Sequence, residues 1–321
     1  MLLDNKSSVK RCSIPTPYPI GDTYAYIIAE DPVTLVDVGV ATEEAREAWD
    51  YWLKRYGLTV KDIKRIVLTH GHSDHYGLAK EFAERSGAPI YLHPADWKKV
   101  MDRVAFYAEL VPVIREYGIP EAFLEKFIGI LKWERNFCLD IPEEMLHPLQ
   151  EGDILEFERL TFSIIHVPGH SPGHIILMHR HEALSGDLIF LELTPIPMLE
   201  TDEKGNRLKT SLLYKDSLAK AKSLGLKTYF PSHREEQGDF DEALKKMEKR
   251  MAYKESLILQ CIRQKGRCTA YDIIKCLYPN RGPQEIYITV SDVLGRLDLM
   301  ESKGLIRCEK FHGIWHFREI D

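Results

Sequence analysis

The sequence predicts an α/β protein, a large layered domain of strands and helices followed by a smaller helical tail that ends in a β-hairpin. Three observations predict it. The continuous apolar run Ile66-Val67-Leu68 has the character of a strand buried on both faces, and it stops abruptly at a loop holding three histidines and an aspartate. Strand-like and helix-like patterns then alternate through most of the chain. After Gly266 the pattern becomes helical and closes on two short strand runs around Gly313.

In order, Tyr24-Ala25-Tyr26-Ile27-Ile28 and Val33-Thr34-Leu35-Val36 read as strands separated by the turn Glu30-Asp31-Pro32, and they end in Asp37-Val38-Gly39. Residues 42–57 predict an amphipathic helix with Ala45, Trp49, Trp52 and Leu53 on one side and Gly57 as its stop. Beyond the histidine loop a helix with Leu78, Phe82 and Ala83 inward leads into a strand at 89–92. His93 follows it, and a lone histidine there is assigned a structural place outside the metal set. Residues 95–138 form a helical insert. Val100, Val104, Tyr107, Leu110, Val111 and Ile114 recur at helical spacing, Gly118-Ile119-Pro120 breaks the pattern, and Phe123, Leu124, Phe127, Ile128, Leu131 and Trp133 resume it. These side chains either pack the insert onto the domain or make it a lid with an apolar pocket. The second half of the sheet is expected between His147 and Phe190, with strands at 153–157, 160–165 and 174–178, and a helix at 211–225 precedes the run that presents His233. A boundary near residue 245 separates a first domain, 1–245, from a second, 246–321. The latter holds the end of a long charged helix, a short helix at 270–277, a longer one at 285–303 and the hairpin.

With 321 residues, 44% of them apolar, the chain has material for a sizeable core, and its net charge of −6 gives no whole-chain reason to expect nucleic acid or an acidic membrane as partner. The six cysteines are scattered, without a Cys-x-x-Cys pair, and suit free thiols in a reducing compartment. The first eleven residues lack the apolar core of a signal peptide and no run approaches a membrane span, so a cytoplasmic protein is expected.

The chemistry is concentrated in His70-Gly71-His72-Ser73-Asp74-His75. Imidazole nitrogens and carboxylate oxygens are the usual protein ligands of zinc and related divalent ions, and the small residues Gly71 and Ser73 permit the tight turn that lets them converge. Further candidates stand apart in sequence: His166-Val167-Pro168-Gly169-His170-Ser171-Pro172-Gly173-His174, Ser185-Gly186-Asp187, and Tyr229-Phe230-Pro231-Ser232-His233. His170 is the candidate ligand of its turn, and His174 a residue that orients a ligand or packs. Together these segments resemble the signature of the metallo-β-lactamase superfamily over roughly residues 16–235, with Ser232 where that family has glycine and Arg234 following His233.

That resemblance implies an αββα four-layer sandwich. It also implies that His70, His72 and His170 hold one metal ion, that Asp74, His75 and His233 hold a second with Asp187 bridging, and that Asp37 lies just outside the ligands. The mixed nitrogen and oxygen set suits two zinc ions and admits iron or manganese. Two ions sharing a water hold hydroxide as the nucleophile, and Asp74 can take part in proton transfer to the leaving group. Asp187 with the Asp74-His75 pair points to the branch similar to glyoxalase II and the lactonases, a hydrolase of an ester, thioester or lactone with an apolar part. No Gly-x-Ser-x-Gly elbow competes with it. The tail resembles a winged helix, which keeps a metal-dependent phosphodiesterase or ribonuclease acting on nucleic acid as the alternative. In residues 250–321, however, twelve Arg or Lys face nine Asp or Glu, and Glu285, Asp292, Asp298 and Glu301 would repel phosphates from the expected recognition helix. A packing or homodimerisation role is therefore favoured for the tail.

Overall fold

A computed structural model describes residues 2–3, 7–202, 204–282 and 285–320; Met1 and Asp321, the outer ends of the two expected domains, lie outside them. Six strands form a first sheet in sequence order: β1 (Val9–Ile14), β2 (Thr23–Ile28), β3 (Thr34–Val36), β4 (Arg65–Val67), β5 (Ile90–Leu92) and β6 (Leu146–Pro148). Six more form a second: β7 (Ile154–Glu156), β8 (Thr161–His166), β9 (Ile175–His179), β10 (Glu182–Gly186), β11 (Thr228–Pro231) and β12 (Gly238–Asp239). Residues 146–148 belong to the first sheet, not the second as their place in the sequence implied, because they pair in parallel with β5.

The strand period of two explains the layering. Ile27, Leu35 and Ile66 face the helix layer of α1 (Glu43–Arg55), α2 (Ser73–Tyr76) and α3 (Ala79–Ser86), while their neighbours Tyr26, Ile28, Val36 and Val67 face the second sheet. In that sheet Ile164, Ile175, Leu177, Leu184 and Phe230 meet them, and the alternate residues Ile165, Ile176, Ala183 and Tyr229 turn outward to the later helices. Helix, sheet, sheet and helix are thus stacked in four layers. In α1, Thr42 caps the N-terminus by accepting from the Ala45 amide, and Trp49 and Leu53 are buried at the spacing the sequence predicted. Each such large apolar side chain contributes roughly 1.5–3 kcal/mol.

The insert is shorter-stepped than its periodicity predicted. It divides into α4 (Trp97–Met101), α5 (Arg103–Ala108), α6 (Leu110–Arg115) and α7 (Glu121–Glu134). The first break is Asp102, which leaves the helical region at φ −150°, ψ 87° and caps α5 by accepting from the Ala105 amide. Beyond it come α8 (Thr210–Ser223), α9 (Phe240–Lys265), α10 (Ala270–Leu277), α11 (Ile286–Ser302) and a hairpin of β13 (Ile306–Phe311) and β14 (Ile314–Glu319). Helix α9 runs without interruption across residue 245. The apolar faces of insert and tail form one core, in which Tyr107, Leu110, Phe127 and Leu131 pack with Ile258, Ile273, Val290, Leu294 and Leu297. No described helix is long and apolar enough to cross a membrane. All six cysteines are free thiols, with Cys12, Cys138, Cys261 and Cys268 buried and Cys276 exposed.

Candidate metal centre

Strand β4 delivers the first histidines. Its chain leaves the sheet at Leu68, Thr69 and His70 lie in the loop, His72 is the cap of α2, and the single turn of α2 carries Asp74 and His75. His170 comes from the β8–β9 loop, Asp187 follows β10, and His233 follows β11. The fold gathers these seven side chains at one end of the two sheets. Three sets of ligand atoms lie within 4.8 Å of one another: His70, His72 and His170; His70, His75 and Asp187; and Asp74, His75 and His233.

The distances divide the cluster in two. In the first half His72 Nδ1 lies 2.9 Å from His70 Nε2 and 3.0 Å from His170 Nε2. In the second, Asp74 lies 3.8 Å from His75 Nε2 and 3.4 Å from His233 Nε2. Asp187 faces both. Its Oδ2 is 3.4 Å from His170, and its Oδ1 is 3.6 Å from His75 and 3.7 Å from His233.

Hydrogen bonds on the far side of each ring decide which nitrogen points inward. The Thr69 hydroxyl donates to Asp37 at 2.8 Å, so it accepts from His70 Nδ1 at 3.1 Å. His75 Nδ1 donates to Asp37 at 2.8 Å, His170 Nδ1 to the Ile196 carbonyl at 3.0 Å, and His233 Nδ1 to the Asp22 carbonyl at 2.9 Å. All four therefore turn Nε2 to the centre. His75 Nε2 and Asp187 Oδ1 are buried there without a hydrogen-bond partner. Converging ring nitrogens and carboxylates with buried polar atoms left unpartnered are costly unless cations sit among them, so the donor set fits divalent metal ions.

Asp37 holds the Thr69 amide and hydroxyl and the His75 ring, from a left-handed backbone (φ 59°) that aspartate tolerates. His174 accepts from the Asp187 amide at 3.2 Å and so orients the Asp187 backbone. Arg234, after His233, is also left-handed (φ 71°), the backbone that the absent glycine would adopt freely. His93 stacks on His166 with ring centroids 3.9 Å apart and takes no part in the cluster.

Three buried residues were not foreseen. Asp96 ties the two histidine loops together, accepting from the Gly71 amide at 2.7 Å, the Gly173 amide at 3.0 Å and the Ser171 hydroxyl at 2.6 Å. A Cβ at Gly173 would meet the Asp96 side chain at 2.8 Å, so glycine there is a condition of this approach. Lys99 reaches Asp96, Ser171 and Glu200 from α4. Burial would raise both carboxyls. Asp96, with the Lys99 charge and three further donors, is held below the usual carboxylate range, while Glu200, sharing that one ammonium, is pushed up to about 7. The only sequence signal for this network is the Asp96, Lys99 pair one turn apart beside buried Val100.

The metallo-beta-lactamase superfamily profile matches residues 18–249, and the chain belongs to that superfamily. It is 28% identical to the probable metallo-hydrolase YqjP of Bacillus subtilis over 311 residues, 91% of this chain and 92% of that protein. A shorter match, also 28% identical, covers 47% of this chain and 63% of the hydroxyacylglutathione hydrolase GloC of Haemophilus influenzae. The fold is that of a metallo-beta-lactamase family protein from Thermus thermophilus (TM-score 0.81, 23% identity, 98% of this chain and 99% of that one). A beta-lactamase domain protein from Burkholderia ambifaria shares it too (TM-score 0.82, 18% identity, 99% and 94%). Family and relatives agree with the enzyme class expected from the sequence, a metal-dependent hydrolase.

Proposed function

We propose that the protein is a dinuclear metal-dependent hydrolase of an ester, thioester or lactone. The observation that carries the reading is Asp187, whose two oxygens face the two halves of the cluster. His70, His72 and His170 would hold one ion, Asp74, His75 and His233 the other, and Asp187 both; the donor set suits zinc best and admits iron or manganese. A bound pair of such ions makes water nucleophilic near neutral pH and offsets negative charge on the reacting group. The side chains do the rest. Asp37 and the Thr69 hydroxyl, with the backbone carbonyls of Asp22 and Ile196, keep Nε2 of the rings aimed inward, and Asp74, beside the shared centre, can carry a proton to the leaving group.

The aromatic cluster beside Asp74 is in keeping with an acyl substrate that has an apolar part. Tyr18 donates to or accepts from Ser73, next to Asp74, at 2.8 Å, and packs edge-on to Phe137, which packs on Trp133 at the end of the insert. These rings support the lid role for the insert. The winged-helix-like tail, 246–321, is assigned a packing role. From Thr289 to Met300 every residue of α11 is buried, and Asp292 and Asp298 are paired with Lys254 and Arg207, so this helix is not free to enter a nucleic-acid groove. The free thiols support a cytoplasmic setting.

The test is metal content of the purified protein beside turnover of a generic thioester, a lactone and bis(p-nitrophenyl) phosphate, for wild type and Asp187→Ala. Two ions per chain with carbonyl-ester turnover lost in the variant supports the reading. Diester turnover alone moves the assignment to the phosphodiesterase alternative, and failure to bind metal after reconstitution overturns both.

A further inference from the structure

Four of the five imidazoles offered to the metal pair have their outer nitrogen engaged by a hydrogen-bond partner. His72 is the exception. It turns Nδ1 toward His70 and His170, and with an ion bound at Nδ1 the proton of its neutral ring would sit on Nε2, an atom that is buried with no partner. The carboxylate facing it is Glu200, with Oε1 at 3.9 Å and Oε2 buried and also without a partner. Oε1 already accepts from Lys99, so the Glu200 carboxylate faces the unpartnered His72 Nε2 from just beyond hydrogen-bond distance with one oxygen still free. Hydrogen bonds that serve a reaction centre are often this long before it is loaded.

Glu200 belongs to the segment between β10 and α8, whose described residues are irregular but for an isolated bridge between Thr201 and Arg207. What fixes it comes from elsewhere. Lys99 of the insert donates to its Oε1. On the other side α11 grips the preceding residue at both polar groups: the Ser291 hydroxyl accepts from the Leu199 amide at 2.9 Å, and the Tyr287 hydroxyl donates to the Leu199 carbonyl at 2.9 Å. Asp298 of the same helix holds Arg207, farther along the segment, by two hydrogen bonds of 2.8 and 2.6 Å.

We propose that Glu200 is a positioning residue for His72, accepting its Nε2 proton so that Nδ1 stays aimed at the first ion, and that α11 sets Glu200 in place through Leu199. The tail is then a wall of the metal centre, and its burial has a chemical purpose. This inference rests on the two-ion reading above.

The experiment uses the full chain and zinc. Dissociation of the first ion is measured by competition with a chelating dye, and the imidazole N–H of His72 is followed in a proton–nitrogen correlation spectrum of the zinc-loaded protein. In Glu200→Gln a single amide oxygen must choose between Lys99 and His72, so zinc affinity should fall roughly 10–100-fold, the usual cost of losing an outer partner. The His72 Nε2 proton should move upfield and exchange faster. The double variant Tyr287→Phe with Ser291→Ala should weaken zinc less, in the same direction, and add nothing on top of Glu200→Gln, since coupled residues are not additive. Unchanged affinity and an unchanged His72 signal in Glu200→Gln overturn the role of Glu200, and full additivity overturns the link through Leu199. Should Glu200→Gln fail to fold, an unmoved His72 signal in the double variant overturns the inference by itself. A wild type that binds no zinc sinks the two-ion reading, whereas normal zinc binding in every variant sinks only this inference.

Discussion

The two halves of the cluster are built from the same kind of side chain and titrate in opposite directions. Burial, reinforced by the neighbouring imidazoles, holds His70 and His72 well below the ordinary imidazole range. Burial likewise keeps His170 below it, against the pull of Asp187. Burial acts on His75 too, but Asp37, Asp74 and Asp187 outweigh it and push that ring up to about 10. His233 is raised by Asp187 and Asp74 in the same way, and Asp74, despite its burial, is lowered by the His75 and His233 rings. One half is therefore a neutral set of lone pairs that needs a cation, and the other is a set of ions that protons already balance. An ion entering the first half displaces almost no protons near neutral pH; an ion entering the second must displace them.

Asp187→Ala breaks the comparison outright, because it removes the side chain whose two oxygens face both halves. Turnover should fall by far more than the roughly 10–100-fold that loss of an outer partner costs, and elemental analysis should find about one ion per chain instead of two. Two tightly held ions in this variant would mean that Asp187 does not join the halves.

The next largest effect is that of pH. With His75 at about 10 in the metal-free chain, that ring carries its extra proton at neutral pH, His233 is raised in the same direction, and a ligand must lose its proton to bind metal. Affinity of the second half should rise with pH, by up to about tenfold per unit for each proton displaced, while that of the first stays nearly flat from pH 6.5 to 8. Titration calorimetry in two buffers of different ionisation heat measures this directly. Equal proton release by the two ions would contradict the division.

These halves differ as well in how they could be read. The ligands around α2 were legible because four of them fall within six residues at a strand end, where chain connectivity alone brings them together. Asp187 and His233 were legible from their place after apolar runs. Asp96, Lys99 and Glu200 were not, since Lys99 and Glu200 meet only through the packing of insert, tail and irregular segment. The same holds for the fold. Period-two alternation announced the strands, and helical spacing announced the buried faces of insert and tail, yet no local pattern says that two apolar faces more than a hundred residues apart will cover each other. The break at Asp102 was hidden because the apolar spacing continues across it.

Asp37 serves both halves, through the Thr69 hydroxyl to His70 and directly to His75. In Asp37→Asn the charge that raises His75 is gone, so the proton released on loading the second half should diminish and its affinity should drop about 10–100-fold. The first half should lose less, because the Thr69 hydroxyl remains. Stability should fall by roughly 1–3 kcal/mol as buried donors lose their charged acceptor, which chemical denaturation of the metal-free chain will register.

Thr69→Val sharpens the comparison further, at the smallest cost. It removes only the hydroxyl between Asp37 and His70, in a side chain of nearly the same shape, and leaves the Thr69 amide and His75 bonded to Asp37. His70 then has no acceptor for its Nδ1 proton, and the ring can turn over or swap tautomer. First-half affinity should weaken by several-fold, less than the 10–100-fold of a lost charged partner, while the proton count of the second half stays as in wild type. If the second half weakens instead, the Thr69 hydroxyl acts mainly by orienting the Asp37 carboxylate, and the two halves are coupled through it more tightly than their opposite titration implies.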